Sequence, residues 1–434
     1  MRPIEQASYW LATREPTPSP ALEAKIETDI CIIGAGFTGL WTAHFLRHLE
    51  PKAEIVVLEQ GVAGYGGSGR NAGIVSASID HSNASAVAHF GRDEAARLAK
   101  IGLQNIDELA VFAADCDFER TGQLHVALTP AQVETCRAMT PGRFLSAEEV
   151  HAELNSPLYL GATFVPGGGI INPVKLVDKL KRGLKLFERT PVTSITGGVV
   201  HTPNGEVRAR KIVLATNAYS HHLFPRLLRH FIPLYDYILV SEPLRAERRA
   251  AIGWRNRQAV TDGRTFFNYY RLTADDRILW GTSEAMYYRG NRVDESCDHS
   301  EQHYTALRES FARHFPPLAG LEFPYAWGGP IASTTRLTPF FGTTGNVLYA
   351  LGYTGHGLGS TRVAGKILAH MALAKPHELL SLAMVQRKPF PYPPEPMRSW
   401  AVSAVTRALR RVDAGEKPGV LLRVLDTLGI GFSS

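Results

Sequence analysis

Cysteine is scarce in this sequence, and no pair of cysteines has the spacing of a metal site or a redox motif. The four cysteines are far apart, and none belongs to a Cys-x-x-Cys motif: Cys31, Cys116, Cys136 and Cys297. This spacing argues against both a disulfide framework and a zinc site, so no metal is expected. Free cysteines are typical of a reducing compartment, and we therefore expect a cytoplasmic protein.

Long apolar runs and concentrated basic runs are missing as well. No stretch approaches about 18 uninterrupted apolar residues, and the first twenty residues contain no apolar core of signal-peptide length. The net charge is +6, but the lysines and arginines are spread along the chain. We therefore expect no membrane span and no nucleic-acid partner, and a positive field that favours small anions.

What is present first is a glycine turn between a predicted strand and a predicted helix. An apolar run at Asp29–Ile33 precedes the turn Gly34–Gly39, and Leu40–Leu49 has helical periodicity. A second strand at Glu54–Leu58 ends just before Glu59. Such a turn lets the backbone approach a pyrophosphate at a helix N-terminus, and the acid accepts hydrogen bonds from ribose hydroxyls. The pattern predicts a dinucleotide site, although it does not separate NAD from FAD.

Two further glycine-rich segments bear on that choice. The loop Gly64–Gly73 offers hydroxyl, guanidinium and amide donors suited to pyrophosphate and ribityl oxygens, unless it is an ordinary surface loop. The late turn Gly352–Gly359 joins a strand to a helix at Ser360–Ala374, but no second strand ending in an acid follows. This incomplete unit argues against a separate NAD fold. It favours a helix N-terminus that points at the pyrimidine edge of a flavin, with a packing turn as the alternative.

The order of these segments resembles a known family. Gly34–Gly39, Glu59, Gly67–Asn71, Leu214–Tyr219 and Gly352–Gly357 occur in the order typical of the D-amino acid oxidase (DAO) family of FAD-dependent oxidoreductases. The Ser-Gly-Arg-Asn loop most resembles the gamma-glutamylputrescine oxidase branch. The resemblance implies an α/β (α+β) fold, in which a glutathione-reductase-type, Rossmann-like FAD-binding domain is joined to a mostly antiparallel substrate domain.

The resemblance also implies a reaction. In such proteins a small amine or amino acid binds neutral and passes hydride from its α carbon to flavin N5. The imine is then hydrolysed, and oxygen or another acceptor reoxidises the flavin. A dedicated general base is not expected, because the flavin supplies the difficult chemistry. Sarcosine oxidases of this family tether FAD through a cysteine near the late turn, whereas no cysteine follows Cys297 here, so we expect non-covalent FAD.

Candidate site residues follow from these motifs. The cofactor set comprises Gly34, Ala35, Gly36, Phe37, Thr38, Gly39, Glu59, Gln60, Gly67, Ser68, Gly69, Arg70, Asn71, Ala72, Gly73, Val192, Ala215, Thr216, Asn217, Gly352, Gly355, His356, Gly357, Leu358 and Gly359. The catalytic candidates are Tyr269, His356, Arg336 and Arg271.

The roles of these candidates remain open at several positions. Tyr269 and Tyr270 alternate on a predicted strand, so only one can face the flavin. Arg271 and Arg336 are candidates to bind a substrate carboxylate, with a structural role as the alternative. His356 could donate to the reduced cofactor or merely space the backbone, and His81 could approach the ring or be structural.

The predicted segments alternate between the two domains. We predict an N-terminal arm at 1–28, extended on the surface, then FAD-binding parts at 29–84, 146–225 and 336–380. A helical and substrate-domain segment covers 85–145, the substrate sheet covers 226–335, and a tail without a catalytic signature covers 381–434. Two other functions remain: a flavin-dependent monooxygenase, which would need an NAD(P)H site, and a non-catalytic flavin-binding subunit.

Overall fold

The structure is a computed structural model that describes residues 2–15, 17–427 and 429–431. The strands of this part of the chain are β1 (Lys25–Ile33), β2 (Ile55–Leu58), β3 (Ile74–Val75), β4 (Gln123–Ala127), β5 (Arg143–Ser146), β6 (Gly161–Val165), β7 (Gly169–Ile170), β8 (Lys185–Phe187), β9 (Ser194–Thr196), β10 (Val199–His201), β11 (Glu206–Leu214), β12 (Ile232–Val240), β13 (Ala259–Asp262), β14 (Asn268–Leu272), β15 (Ile278–Thr282), β16 (Tyr325–Ser333), β17 (Phe340–Thr344) and β18 (Val347–Leu351).

The helices flank these strands and form the chain ends of the described part. They are α1 (Ile4–Ala7), α2 (Tyr9–Ala12), α3 (Phe37–Leu49), α4 (Asn83–Phe90), α5 (Arg92–Phe112), α6 (Pro130–Ala138), α7 (Ala147–Glu153), α8 (Pro173–Lys181), α9 (Ser220–Leu223), α10 (Ala246–Ile252), α11 (Glu301–His314), α12 (Gly357–Leu373), α13 (Ala383–Gln386), α14 (Met397–Asp413) and α15 (Val420–Thr427). None of them is both long and apolar enough to cross a bilayer.

One lobe is built on a sheet with a parallel centre. Its main strand order is β17-β18-β11-β1-β2-β8, and all neighbours from β18 to β8 are parallel. The second half of β1, Ile30–Ile33, is buried throughout, as is the whole of β2. Such continuous apolar strands are typical of a parallel sheet covered on both faces. The predicted Rossmann-like sheet is confirmed.

The other lobe is built on a mostly antiparallel sheet. Its strand order is β16-β12-β15-β14-β13-β4-β6-β5, and only β13 and β4 run parallel within it. One face packs on α11 through a buried aromatic cluster that includes Tyr270, Trp280 and Phe311. The opposite face of this sheet lines a cavity, as expected for the sheet of a substrate-binding domain.

The N-terminal segment differs from the extended surface arm that the sequence predicted. It begins with the short helices α1 and α2, and Tyr9 and Trp10 are buried. The indole of Trp10 donates to the carbonyl of Asn71 at 2.8 Å, so the segment packs under the glycine loop. Burial of the large aromatic side chains of Tyr9 and Trp10 stabilises this folded segment more than the following prolines favour an extended one. Of those prolines, Pro16 lies outside the described residues.

The segment boundaries also need one correction. The sequence assigned 146–225 to the FAD-binding part, but α7 and β6 within it belong to the other lobe. The reason is that β6 pairs with both β4 and β5 in the antiparallel sheet. The chain returns to the parallel sheet only at β8, which pairs with β2.

Candidate active site

A cavity of about 1400 Å³ lies between the two lobes. The ends of β1, β2 and β11 open into it, as does the turn that follows β18. Ligands of open parallel sheets bind at this carboxyl edge, where the strands present loops and helix N-termini. Most positions predicted for the cofactor line the cavity, and the exceptions are Ala35, Gly39, Gly69 and Gly352.

The early glycine turn, Gly34–Gly39, requires glycine at two positions because a Cβ there would collide with the backbone. Gly34 has φ +103°, and a Cβ there would lie 2.8 Å from the carbonyl oxygen of Ala215. A Cβ on Gly39 would lie 2.0 Å from the carbonyl oxygen of Gly34, so α3 can pack against the turn only because that position is glycine. Gly39 therefore allows close packing of α3 against the turn and does not line the cavity. The backbone of Gly36 faces the cavity at the N-terminus of α3.

Glu59 lies at the end of β2 with its carboxylate held by the backbone. Its two oxygens accept the N–H groups of Ala35 at 2.9 Å and Gly61 at 3.0 Å. Burial raises the pKa of Glu59, and these two N–H donors oppose that shift. Since each carboxylate oxygen can accept a further bond, the group can still meet a ribose hydroxyl from the cavity.

The side chains of the Gly67–Gly73 loop mostly hold the loop itself. Asn71 donates to the carbonyls of Gly67 and Ser68, and its side-chain oxygen accepts the N–H of Gly73. Arg70 is fully buried and forms an ion pair with Asp298 at 2.7 Å. The donors predicted for the cofactor are therefore largely used inside the protein, and the backbone of the loop faces the cavity.

The late glycine turn brings two histidines together. His356 caps the N-terminus of α12, and its ring centroid lies 4.0 Å from that of His81. His81 donates from Nε2 to the carbonyl of Thr354 at 2.9 Å, whereas the Nδ1 atoms of both rings have no partner among the described residues. Burial lowers the pKa of both imidazoles, and their mutual repulsion lowers that of His81 further, so both are neutral near pH 7.

Of the two neighbouring tyrosines, Tyr269 faces the cavity and Tyr270 lies in the aromatic core. The hydroxyl of Tyr269 donates to Asp236 on β12, and the other oxygen of that carboxylate has no partner in the described chain. Burial raises the pKa of Asp236 to about 7, and the hydrogen bond from Tyr269 and the nearby backbone N–H of Tyr237 oppose that shift. Tyr270 instead shares a hydrogen bond with Tyr159, away from the cavity.

The two arginines predicted to bind a carboxylate do not line the cavity. Arg271 is 1% exposed and donates to the backbone carbonyls of Gly73, Ile171 and Leu272. Arg336 is 5% exposed and donates to backbone carbonyls from two segments near the C-terminal tail. The structural alternative accounts for the contacts of both arginines, because buried loop carbonyls need donors and a guanidinium satisfies several at once.

Several lining residues were not predicted. Asp236 interrupts an otherwise apolar strand, and this lone charge was the available signal. Arg264 follows the end of β13 and His125 lies on β4, and the pairing of these two strands could not be read from the sequence. The sequence of the tail showed no catalytic signature, and in the structure α14 lines the cavity through Val402, Val405 and Leu409.

Comparison with known proteins identifies the family. A family model described as "DAO: FAD dependent oxidoreductase" matches residues 29–371. The chain belongs to the DAO family of FAD-dependent oxidoreductases. Among curated relatives, this DAO-family chain is 29% identical over 409 residues to gamma-glutamylputrescine oxidoreductase of Escherichia coli, covering 89% of this chain and 93% of the relative. It is also 29% identical to a probable oxidoreductase OrdL of Rhizobium meliloti, covering 88% and 92%.

Solved structures of the DAO fold superpose well on this chain. A glycine oxidase from Geobacillus kaustophilus gives a TM-score of 0.67 at 19% identity, covering 83% of this chain and 99% of that one. An L-proline dehydrogenase from P. horikoshii gives 0.65 at 19% identity, covering 82% and 96%. Both confirm the two-lobed fold.

The cofactor of this DAO-family protein is FAD, and the residues present fit it. The glycine backbone of both turns faces one continuous cavity, which leaves room for a dinucleotide rather than a mononucleotide. The unpartnered Nδ1 atoms of His81 and His356 lie at the late turn, and Nη2 of Arg70 at the glycine loop also lacks a partner in the described chain. Such buried orphan polar atoms require a partner, and FAD can supply it.

Proposed function

We propose that this protein oxidises a small amine or amino acid at its C–N bond, with bound FAD as electron acceptor. The observation that carries the proposal is that one cavity is lined by both glycine turns and by one face of the antiparallel sheet. The relatives support it through their names, which refer to gamma-glutamylputrescine, glycine and proline. Each of these names denotes a compound with an oxidisable C–N bond.

Within the cavity, we place the pyrophosphate of FAD at the N-terminus of α3 and the adenosine ribose at Glu59. The flavin then extends toward the N-terminus of α12. The positive end of that helix dipole would stabilise negative charge on the reduced ring. His81 and His356 are neutral and add no full charge there, and Nδ1 of His81 can only accept a hydrogen bond because its proton is on Nε2.

FAD, when bound, accepts the hydride that leaves the carbon beside the substrate nitrogen. The protein orients that carbon and excludes water from it, and the apolar side chains of α14 contribute to the exclusion. The resulting imine is hydrolysed to a carbonyl compound and an amine or ammonia. Oxygen or another acceptor then takes the electrons.

We further propose that FAD is held without a covalent bond. No cysteine follows Cys297 in the sequence, so the late turn has no thiol of its own. Cys136 lines the cavity, but it donates to the carbonyl of His125 at 3.4 Å, and burial raises the pKa of its thiol. Acid precipitation should therefore release the yellow colour into the supernatant, and colour retained on the pellet would contradict this expectation.

The monooxygenase alternative would need a second dinucleotide site. In the described part of the chain no strand follows α12, and β18 before it belongs to the same sheet as β1. The late turn therefore serves the FAD lobe rather than a separate NAD(P)H fold.

The test is product analysis with a panel of primary amines, secondary amines and amino acids. We expect at least one compound to yield a carbonyl product and released amine or ammonia in equal amounts. Yellow protein that converts none of the panel would contradict the proposal and favour a flavin-binding subunit.

A further inference from the structure

The floor of the cavity carries one carboxylate with an unused oxygen. Ile232, Leu234 and Asp236 alternate along β12 and line the cavity, while Tyr235 and Tyr237, on either side of Asp236, are buried on the opposite face. Oδ2 of Asp236 accepts the hydroxyl of Tyr269, and Oδ1 has no partner among the described residues. A buried carboxylate oxygen without a partner is costly, and because the Asp236 side chain borders the cavity, a donor that enters there can compensate it.

The contact between Asp236 and Tyr269 depends on a gap in the intervening strand. β15 lies between β12 and β14, and Tyr269 pairs with Gly281 of β15. A Cβ on Gly281 would lie 2.3 Å from the ring of Tyr269. The glycine thus lets the ring lie across β15 and reach the carboxylate.

Asp236 also lies near the flavin-binding loop. It pairs with Gly329 of β16, where a Cβ would lie 3.1 Å from Cβ of Arg70. The next strand residue, Pro330, has its carbonyl oxygen 3.7 Å from a Cβ built on Gly67. The carboxylate is therefore one strand away from the loop predicted to contact FAD.

Each arginine that lines the cavity already has partners within the protein, although Nη2 of Arg70 has none. Arg70 is paired with Asp298, and Arg264 binds Asp262 through two hydrogen bonds of 2.8 and 2.6 Å. Arg398 donates to Asn291 at 2.6 Å and to two backbone carbonyls. No lysine of the described chain lines the cavity. None of these three arginines has two adjacent nitrogens without a partner, as a bidentate clamp for a substrate carboxylate requires, whereas Asp236 has an unpartnered carboxylate oxygen.

We propose that Asp236, positioned by Tyr269, binds the ammonium group of the substrate, and that the substrate is an amine without a carboxylate on the reacting carbon. This inference rests on the proposed amine oxidation. On binding, an N–H bond of the ammonium breaks, its proton passes to Oδ1, and the electron pair stays on nitrogen. Nothing is oxidised in this step, and the neutral amine it leaves is the form that can release hydride.

The pKa of Asp236 suits the transfer of a proton from the substrate ammonium to its carboxylate. Burial raises the pKa of Asp236 to about 7, so the group can be ionised when the ligand arrives and neutral after accepting a proton. The hydrogen bond from Tyr269 lowers that pKa, and removing the donor should raise it further. Three of the histidines that line the cavity, His81, His125 and His356, have lowered pKa values because they are buried, and they are therefore neutral near pH 7.

A matched pair of unreactive probes tests the binding step on the FAD-loaded protein. tert-Butylammonium has no hydrogen on the carbon beside nitrogen, and pivalate carries the same tert-butyl group on a carboxylate. Dissociation constants are read from the perturbation of the flavin spectrum. We expect the cation to bind more tightly than the anion, and Asp236→Asn to weaken only the cation, by about tenfold or more. Asp107→Asn removes an exposed acid far from the cavity and should change neither constant.

The pH dependence tests the role of Tyr269. Wild-type affinity for tert-butylammonium should fall as the pH drops below about 7, where Asp236 becomes protonated. Tyr269→Phe should move that midpoint to higher pH, whereas Tyr270→Phe in the core should leave it in place. A wild-type affinity that does not change between pH 5 and 9 would overturn the proposal without requiring any variant to fold.

Anaerobic flavin bleaching by ethylamine and by either enantiomer of alanine distinguishes failure of this inference from failure of the proposed function. Alanine is ethylamine with a carboxylate on the reacting carbon. Faster bleaching by ethylamine supports the inference. Equal or faster bleaching by alanine overturns it and leaves amine oxidation standing. Absence of bleaching by every amine and amino acid tested removes the proposed function itself.

Discussion

Gly281 is the residue on which the arrangement of the cavity floor depends most directly. Gly281→Ala would place a Cβ 2.3 Å from the ring of Tyr269 and push that side chain off the strand. We expect kcat/KM to fall by about tenfold to a hundredfold, because misplacing a substrate-contacting group by about 1 Å costs that much. Gly419→Ala, where a Cβ meets nothing within 4 Å, is the control. Wild-type kcat/KM in Gly281→Ala would show that Tyr269 has no role in substrate positioning.

Single residues also show where sequence reasoning succeeds and where it fails. The alternation of Tyr269 and Tyr270 was readable, since strand geometry puts them on opposite faces. For Arg271 and Arg336 the sequence left both a substrate-binding and a structural role open, because it gives no hint of which buried carbonyls surround a lone arginine. Asp236 was missed although its charge stands out in an apolar strand, because its partner Tyr269 lies two strands away in the sheet.

Helix α3 depends on close contact with the early glycine turn. Gly39→Ala would bring a Cβ to 2.0 Å from the carbonyl of Gly34 and tilt the helix away from β1. The helix N-terminus would no longer face the pyrophosphate, and we expect FAD to bind at least about tenfold more weakly. FAD content after purification and titration of the apoprotein measure the effect. FAD affinity unchanged from wild type would contradict this account of the turn.

Helix α14 covers one side of the cavity and is tied down at its C-terminal end. Asp413 accepts the backbone N–H groups of Thr265 at 2.7 Å and Phe266 at 2.8 Å. Asp413→Ala should loosen this side and raise the KM for an amine by roughly threefold to tenfold, with little change in kcat. Glu416→Ala, just beyond the same helix, is the matched control. Equal KM values for the two variants would show that the hydrogen bonds of Asp413 do not affect substrate binding in the cavity.

Elements formed by neighbouring residues were readable, and elements formed by distant ones were not. The strand, turn, helix and strand from β1 to β2 follow local glycine and periodicity signals, and the break between α4 and α5 falls at Gly91 with φ +87°. The membership of β6 in the antiparallel sheet depends on partners β4 and β5. The position of α14 over the cavity depends on tertiary contacts such as that of Asp413.

At the scale of the whole molecule, the buried pair Arg70 and Asp298 joins the glycine loop of the FAD lobe to the substrate lobe. Asp298→Asn would leave the guanidinium buried without a counter-charge, and we expect the free energy of unfolding to fall by about 3–5 kcal/mol. Asp107→Asn breaks an exposed pair with Arg120 and should cost at most about 1 kcal/mol. Denaturant unfolding compares the two, and similar losses would mean that the buried pair does not couple the lobes.

The central claim is that one FAD, held between the early and late glycine turns, takes electrons from an amine in the shared cavity. Anaerobic titration of the purified holoprotein with a primary aliphatic amine tests it most directly. The account predicts that the visible flavin band disappears after about one equivalent of amine per flavin, since one hydride reduces one ring. A flavin band that persists in excess amine, or protein that binds no FAD, would contradict it.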